Sequence, residues 1–188
     1  MKTININTHC PPANMIGSGN QNQTSGNHSA IGGGELNNIG TYGLAGGHCS
    51  FIGGGQLNVI ELDGNTISGG RRNYICGNDS AISGGHNNHI GDITLTLSAN
   101  CSFIGGGLNN RVTGDFSAIL GGNGNNDNGL AFAGIYGNGI TAVAPDTFHV
   151  SCLNAVNTPL AFAAPTGTIM YKTFATLLPT DRILVIAP

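Results

Sequence analysis

Branched apolar residues recur along this chain inside one phrase: a small residue, an isoleucine, a glycine cluster, an asparagine and a second branched residue. SAIGGGELNNIG at 29–40 is followed by SFIGGGQLNVI from Ser50, SAISGGHNNHIG from Ser80, SFIGGGLNNRVTG from Ser102 and SAILGGNGNND from Ser117. The first marker falls at Ile31, Ile52, Ile67, Ile82, Ile104 and Ile119. With Ile16 as a degenerate start, the intervals are 15, 21, 15, 15, 22 and 15 residues. A second marker, Ile39, Ile60, Ile75, Ile90 and Val112, lies eight residues after its partner. Repetition at a short fixed period predicts a solenoid, and these isoleucines and the valine are its expected core ladder.

Half of the 15-residue interval, about 7.5 residues, is one strand and one corner. Segments this short, rich in β-branched residues and punctuated by Gly and Asn, do not make helices. The expected fold is all-β, a parallel β-solenoid whose turns stack at about 4.8 Å per rung. Each buried isoleucine contributes on the order of 1.5–3 kcal/mol. Asn37, Asn58, Asn73, Asn88 and Asn110 share one phase, and their amides are expected to bond corner backbone. The two long intervals carry an extra half-unit, TYGLAGG at 41–47 and DITLTLS at 92–98. Adding one strand would swap inside and outside in a two-strand roll, so the sequence leans toward three strands per turn, in a homotrimer of intertwined or side-by-side chains. Three intertwined chains predict a rod of about 75 Å, against about 38 Å for two strands per turn.

The residues beside the first marker, Ala30, Phe51, Thr66, Ala81, Phe103 and Ala118, face the other way and are still largely apolar. A contiguous apolar stripe in water points to a partner, and copies of the same chain would cover it.

Composition narrows the picture. Charged residues are 8% of the 188, and the net charge of −3 leaves no footprint for nucleic acid. The 32 glycines lack a collagen period, and 39% hydrophobic residues argue against disorder. No run approaches the ~20 apolar residues of a membrane span. MKTININTHCPPANM has no apolar stretch behind its lysine, so no export signal is expected. Five cysteines, Cys10, Cys49, Cys76, Cys101 and Cys152, are too scattered for a zinc site or a disulfide framework. They read as reduced thiols in small buried positions of a protein assembled in cytoplasm.

The repeats resemble the head repeats of trimeric autotransporter adhesins, whose units read S-x-A-I-G-x-x-x-x-A-x-G, and similar repeats of phage and large-virus fibre proteins. The resemblance covers about residues 16–139 and implies an elongated homotrimer of parallel β-rolls at a surface. No export signal, coiled-coil stalk or anchoring barrel accompanies the repeats, which favours a virion component over a bacterial adhesin. The expected organisation is an N-terminal arm (1–14), the solenoid (15–140) and a C-terminal β cap (141–188). Strands are expected in the cap, and its tail DRILVIAP, apolar over 183–187, is a candidate trimer clasp or docking strand. The expected function is a fibre-like or surface-decorating virion protein, found on the virion or an extracellular surface after cytoplasmic assembly. Its partners would be its own copies, other virion proteins through residues 1–14 or 183–188, and a host-surface glycan. The alternatives are a glycan-cleaving tailspike, an adhesin head and a self-assembling filament subunit.

Candidate chemistry is sparse. Glu61 and Asp63 would share a strand face, as paired glycosidase carboxylates must, but they flank a corner. GGNGNND at 121–127 nearly matches a calcium-binding nonapeptide, with Asn126 where an aspartate belongs. His86 and His89 could gather around a threefold axis as metal ligands, although a corner position reads better. Arg71, Arg72 and Tyr74 form the one concentration of recognition chemistry and are a candidate glycan contact, against the default of a solvated corner. No nucleophile and base pair emerges, so the chain is expected to be no enzyme, with neither cofactor nor metal.

Overall fold

The computed structural model describes residues 8–9, 14–40, 46–92, 99–151, 169–172 and 183–186. The chain divides into two compact units, Met1–Ser151 and Cys152–Pro188. Most of the expected arm and most of the tail lie outside the described residues.

The first unit is a parallel β-solenoid of about eight turns, with no helix among the described residues. One sheet has nine strands: Met15–Ile16, Ala30–Ile31, Phe51–Ile52, Thr66–Ile67, Ala81–Ile82, Phe103–Ile104, Ala118–Asn123, Gly134–Asn138 and Phe148–Val150. The other has seven: Thr8–His9, Gln23–Thr24, Asn38–Ile39, Val59–Ile60, Tyr74–Ile75, His89–Ile90 and Arg111–Val112. Every pairing in both sheets is parallel, so the nine-stranded sheet rises about 38 Å at 4.8 Å per rung.

The preference for three strands per turn is corrected. Each turn holds two strands, and its third side is a column of isolated bridges through Asn20, Glu35, Gln56, Arg71, His86, Leu108 and Asn123. Neighbouring rungs come from successive turns of the same chain. The long intervals leave the register intact, because Ile31 pairs directly with Ile52 and Ile82 with Ile104. No face is swapped, since the extra residues add no rung between these pairs. The ladder also runs past residue 140, through Phe148–Val150, where His149 takes the place that Ile135 holds one rung earlier.

Ile31, Ile39, Ile52, Ile60, Ile67, Ile75, Ile82, Ile90, Ile104, Val112 and Ile119 are all fully buried, and Ile135 joins them. Two strands with inward residues eight apart make a core one isoleucine pair thick. Such a core has little apolar depth, so polar ladders complete it. Asn58 shows how: its Nδ2 donates to Gly54 O at 3.0 Å in its own turn and to Gly70 O at 2.9 Å in the next. Its Oδ1 accepts the Asn73 backbone N–H at 3.1 Å. The same pattern runs from Asn22 to Asn125, with every one of these asparagines buried, as the repeat predicted for the middle five. A second ladder, Ser29, Ser50, Asn65, Ser80, Ser102 and Ser117, closes the opposite corner, each side-chain oxygen accepting the next member's N–H. Buried backbone groups need partners, and the two ladders supply them at every turn.

Both corners demand left-handed backbone. The residue before each ladder asparagine from Asn22 to Asn110, including Leu36, Leu57 and Arg72, has φ between 55° and 58°, and Gly124 before Asn125 has φ +67°. Gly55, at φ +92°, faces a second constraint: an added Cβ would fall 2.1 Å from Gly70 O and 2.8 Å from Asn58 Nδ2. Only glycine fits there.

In the second unit, Ile169–Lys172 and Ile183–Ile186 form an antiparallel pair. Residues 183–186 of DRILVIAP are therefore a strand.

Candidate functional site

The two sheets share one core but present opposite exteriors. Two outward columns line the nine-stranded sheet. One is Met15, Ala30, Phe51, Thr66, Ala81, Phe103, Ala118, Gly134 and Phe148; the other is Gly17, Gly32, Gly53, Ser68, Ser83, Gly105, Leu120, Tyr136 and Val150, broken by a register shift after Ile119 that sets Gly121 opposite Tyr136. None of these eighteen residues is charged and none is buried. The columns compensate one another: Phe51 stands beside Gly53, Phe103 beside Gly105, Ala118 beside Leu120 and Gly134 beside Tyr136. The phenylalanine rings lie down over the glycines. A Cβ on Gly53 would be 3.6 Å from Phe51 Cε1, and one on Gly105 3.4 Å from Phe103 Cε1. The phenylalanines recur every third rung, and the face is uncharged and largely apolar. Phe103, Phe51 and Phe148 keep 37%, 42% and 60% of their surface exposed. The alternation in the first column was legible in sequence; the compensating second column was not, because it is visible only once rungs are aligned.

The seven-stranded sheet carries titratable side chains instead. The rings of Tyr74 and His89 meet at 5.6 Å between centroids, tilted by 39°. Arg111 Nη2 meets Asp92 Oδ2 at 3.0 Å. The His89 imidazole is held below its ordinary pKa, first by burial and then by Arg111, with Asp92 opposing. Cys76 is buried, and burial pushes its thiol pKa up, against the lowering effect of a hydrogen bond with Tyr74. A thiol in that state packs; it does not attack.

The expected recognition residues are split. Arg71 and Arg72 are exposed on the bridge side of the turn, whereas Tyr74 is 7% exposed and faces out from the seven-stranded sheet with its ring against His89. Glu61 is buried, while Asp63 is exposed and caps a corner by accepting the His48 N–H at 2.8 Å. The near-calcium motif is used internally. Asp127 is buried and accepts N–H groups of Thr113 at 2.8 Å and Gly114 at 2.7 Å, leaving its carboxylate no open side. His86 is exposed in the bridge column and His89 half-buried on the sheet, so the two do not converge. Among the described residues no three His, Cys, Asp or Glu side chains gather as metal ligands. Cys49 and Cys101 are exposed at left-handed corners, which corrects the expectation of buried positions for them; the corner φ turns their side chains outward.

One feature had no sequence signal. A cleft of about 240 Å³ lies at the end of the seven-stranded sheet, lined by Arg111, Thr113, Asn126, Asn128 and Gly129. It forms because Arg111 pairs onward with Asn126 by a single bridge, after which the chain turns away. The turn is tight: Leu130 N–H donates to Asp127 O at 3.1 Å across Asn128 (φ 57°) and Gly129 (φ +73°).

No protein-family model matches the chain, and no curated protein is significantly similar to it.

Proposed function

We propose that the protein is a fibre-like or surface-decorating structural component of a virion, phage or large virus, working as a homotrimer of side-by-side solenoids. The observation that carries this reading is the charge-free outward face of the nine-stranded sheet. A face of eighteen uncharged residues with half-exposed phenylalanines is costly in water, and a protein surface of that kind marks an interaction site. A second copy offers the same 4.8 Å rung spacing, so rows of one face register with rows of the other along the whole rod. Cyclic homo-oligomers are the usual outcome of such self-recognition. The resemblance of SAIGGGELNNIG and its copies to fibre and adhesin-head repeats supports the same arrangement and the surface location.

The experiment is a mass measurement by light scattering on the full chain. Three chains per particle is the expected result, and a mass of one chain across the micromolar range overturns the proposal. Proteomics of purified particles then tests the virion assignment, which fails if the protein is missing from them.

A further inference from the structure

We infer that the cleft at Arg111 is a binding site for one neutral sugar ring, recognised through its hydroxyl groups. The inference adds a ligand to the fibre reading and holds whether or not copies associate, so a titration and a mass measurement fail separately.

The lining is made for hydroxyls. Arg111 brings a guanidinium with five N–H donors, of which one nitrogen is occupied by Asp92 Oδ2. That ion pair already satisfies the charge, so the cleft favours a neutral ligand over a second carboxylate. Asn126 Oδ1 accepts the Asn128 N–H at 2.8 Å, which fixes that amide's orientation. The Nδ2 of Asn126 and the whole Asn128 amide make no hydrogen bond among the described residues. Each is an unused donor among the cleft's lining residues, and the exposed Asn128 adds an acceptor. Thr113 Oγ1, held by Asp127 Oδ1 at 3.2 Å, makes the floor.

Space is kept by Gly129. A Cβ there would meet only Thr113 Oγ1, at 3.8 Å, so the missing side chain leaves room in the cleft and not a clash with backbone. A volume of about 240 Å³ is below the ~300–1,000 Å³ of drug-sized pockets, which sets the ligand at a single ring. The donors sit on rigid elements: Arg111 on a strand, Asn126 on a bridge, and Asn128 in a turn whose left-handed φ asparagine tolerates. No carboxylate or histidine lines the cleft, so it binds and does not hydrolyse.

The test uses saturation-transfer NMR on the full chain with methyl glycosides of glucose, galactose, mannose and N-acetylglucosamine, each titrated to about 10 mM, the range in which single sugars bind shallow sites. At least one is expected to receive saturation. Arg111→Ala and Asn128→Gly are each expected to weaken it about tenfold, the loss of one or two hydrogen bonds. Asn128→Gly keeps the left-handed turn, so it separates lost recognition from lost folding. The double variant Arg71→Ala/Arg72→Ala is expected to change nothing. Three outcomes overturn the inference: no glycoside binds, binding survives both cleft variants, or sodium acetate alone displaces the signal and so marks an anion site.

Discussion

The outward faces of the two sheets are built on the same isoleucine ladder, 4.8 Å per rung, yet they have nothing else in common. Behind both, Ile31 to Ile135 and Asn22 to Asn125 repeat with little variation. In front, one sheet shows phenylalanine laid over glycine with no charge on any rung. The other shows a Tyr74–His89 ring contact and an Arg111–Asp92 ion pair. Inward positions are fixed by stacking on identical neighbours. Outward positions are free of that requirement, so differences there report what each face meets.

The largest effects come from the shared interior, where one change should damage both faces together. Ile67→Ala removes a fully buried side chain from a core one residue pair thick and should cost about 2–5 kcal/mol. Asn73→Ala should cost about 3 kcal/mol or more. It strands the carbonyl of Gly69, which Nδ2 reaches at 3.0 Å, and the N–H of Asn88, and it takes the second donor from Gly85 O, which keeps the Arg71 N–H. Urea denaturation measures both. A loss under 1 kcal/mol for Asn73→Ala would show that the ladder is ornament and that the isoleucines suffice.

Next in size is a change confined to the uncharged face. Phe51→Arg with Phe103→Arg places two charges among uncharged rows and should raise the dissociation constant of the assembly by at least a hundredfold, since each buried unpaired charge costs several kcal/mol. The circular dichroism spectrum should stay that of β-structure, because both rings point away from the core. Gln23→Arg on the other sheet is the control and should leave the mass unchanged. Equal effects from both would erase the distinction between the faces.

How much of this was legible beforehand follows from what repeats. Inward residues recur because each rung imposes the same demand, so Ile31, Ile39 and their equivalents, and the asparagines between them, stood out at once. The strand count was misread from the intervals of 21 and 22 residues, where length alone does not tell an added rung from an excursion that leaves the register intact. Arg71, Arg72 and Tyr74 are neighbours in sequence but fall on different sides of the turn, separated by ladder Asn73. The Arg111 cleft joins residues from two turns, one of them altered by the end of the repeat, and such a place has no period to betray it.

A smaller effect, of opposite sign, is expected at the corners. Leu57 has φ 58° with a branched side chain, a conformation that costs an L-residue about 1–2 kcal/mol. Asn87 and Asn109 hold the same position two and three turns further on. Leu57→Asn should therefore raise stability by about 0.5–1 kcal/mol, read as a higher midpoint in urea with an unchanged slope. A loss instead would mean that the Leu57 side chain is itself held by a partner on this side of the rod.

The smallest effect separates the faces by pH. The outward columns of the nine-stranded sheet contain no carboxylate or histidine, so mild acid has nothing to titrate there. His89 on the other sheet is held below its ordinary value of 6.5 by burial and by Arg111. A depressed histidine is neutral in the fold while the unfolded chain takes up the proton more readily. Its stabilising contribution is thus complete above about pH 6.5, declines as pH falls from there to the folded-state value, and is gone below it. His89→Gln should remove that slope and leave the remainder of the pH profile in place. Arg111→Gln should narrow the window by letting the imidazole rise toward its ordinary value. Both are read as the difference in urea midpoint between pH 7 and pH 5, about two sides of the histidine range. If His89→Gln leaves that difference as it was, the Tyr74 and His89 ring pair is solvated in the folded chain, and the polar face is less closed than its geometry makes it.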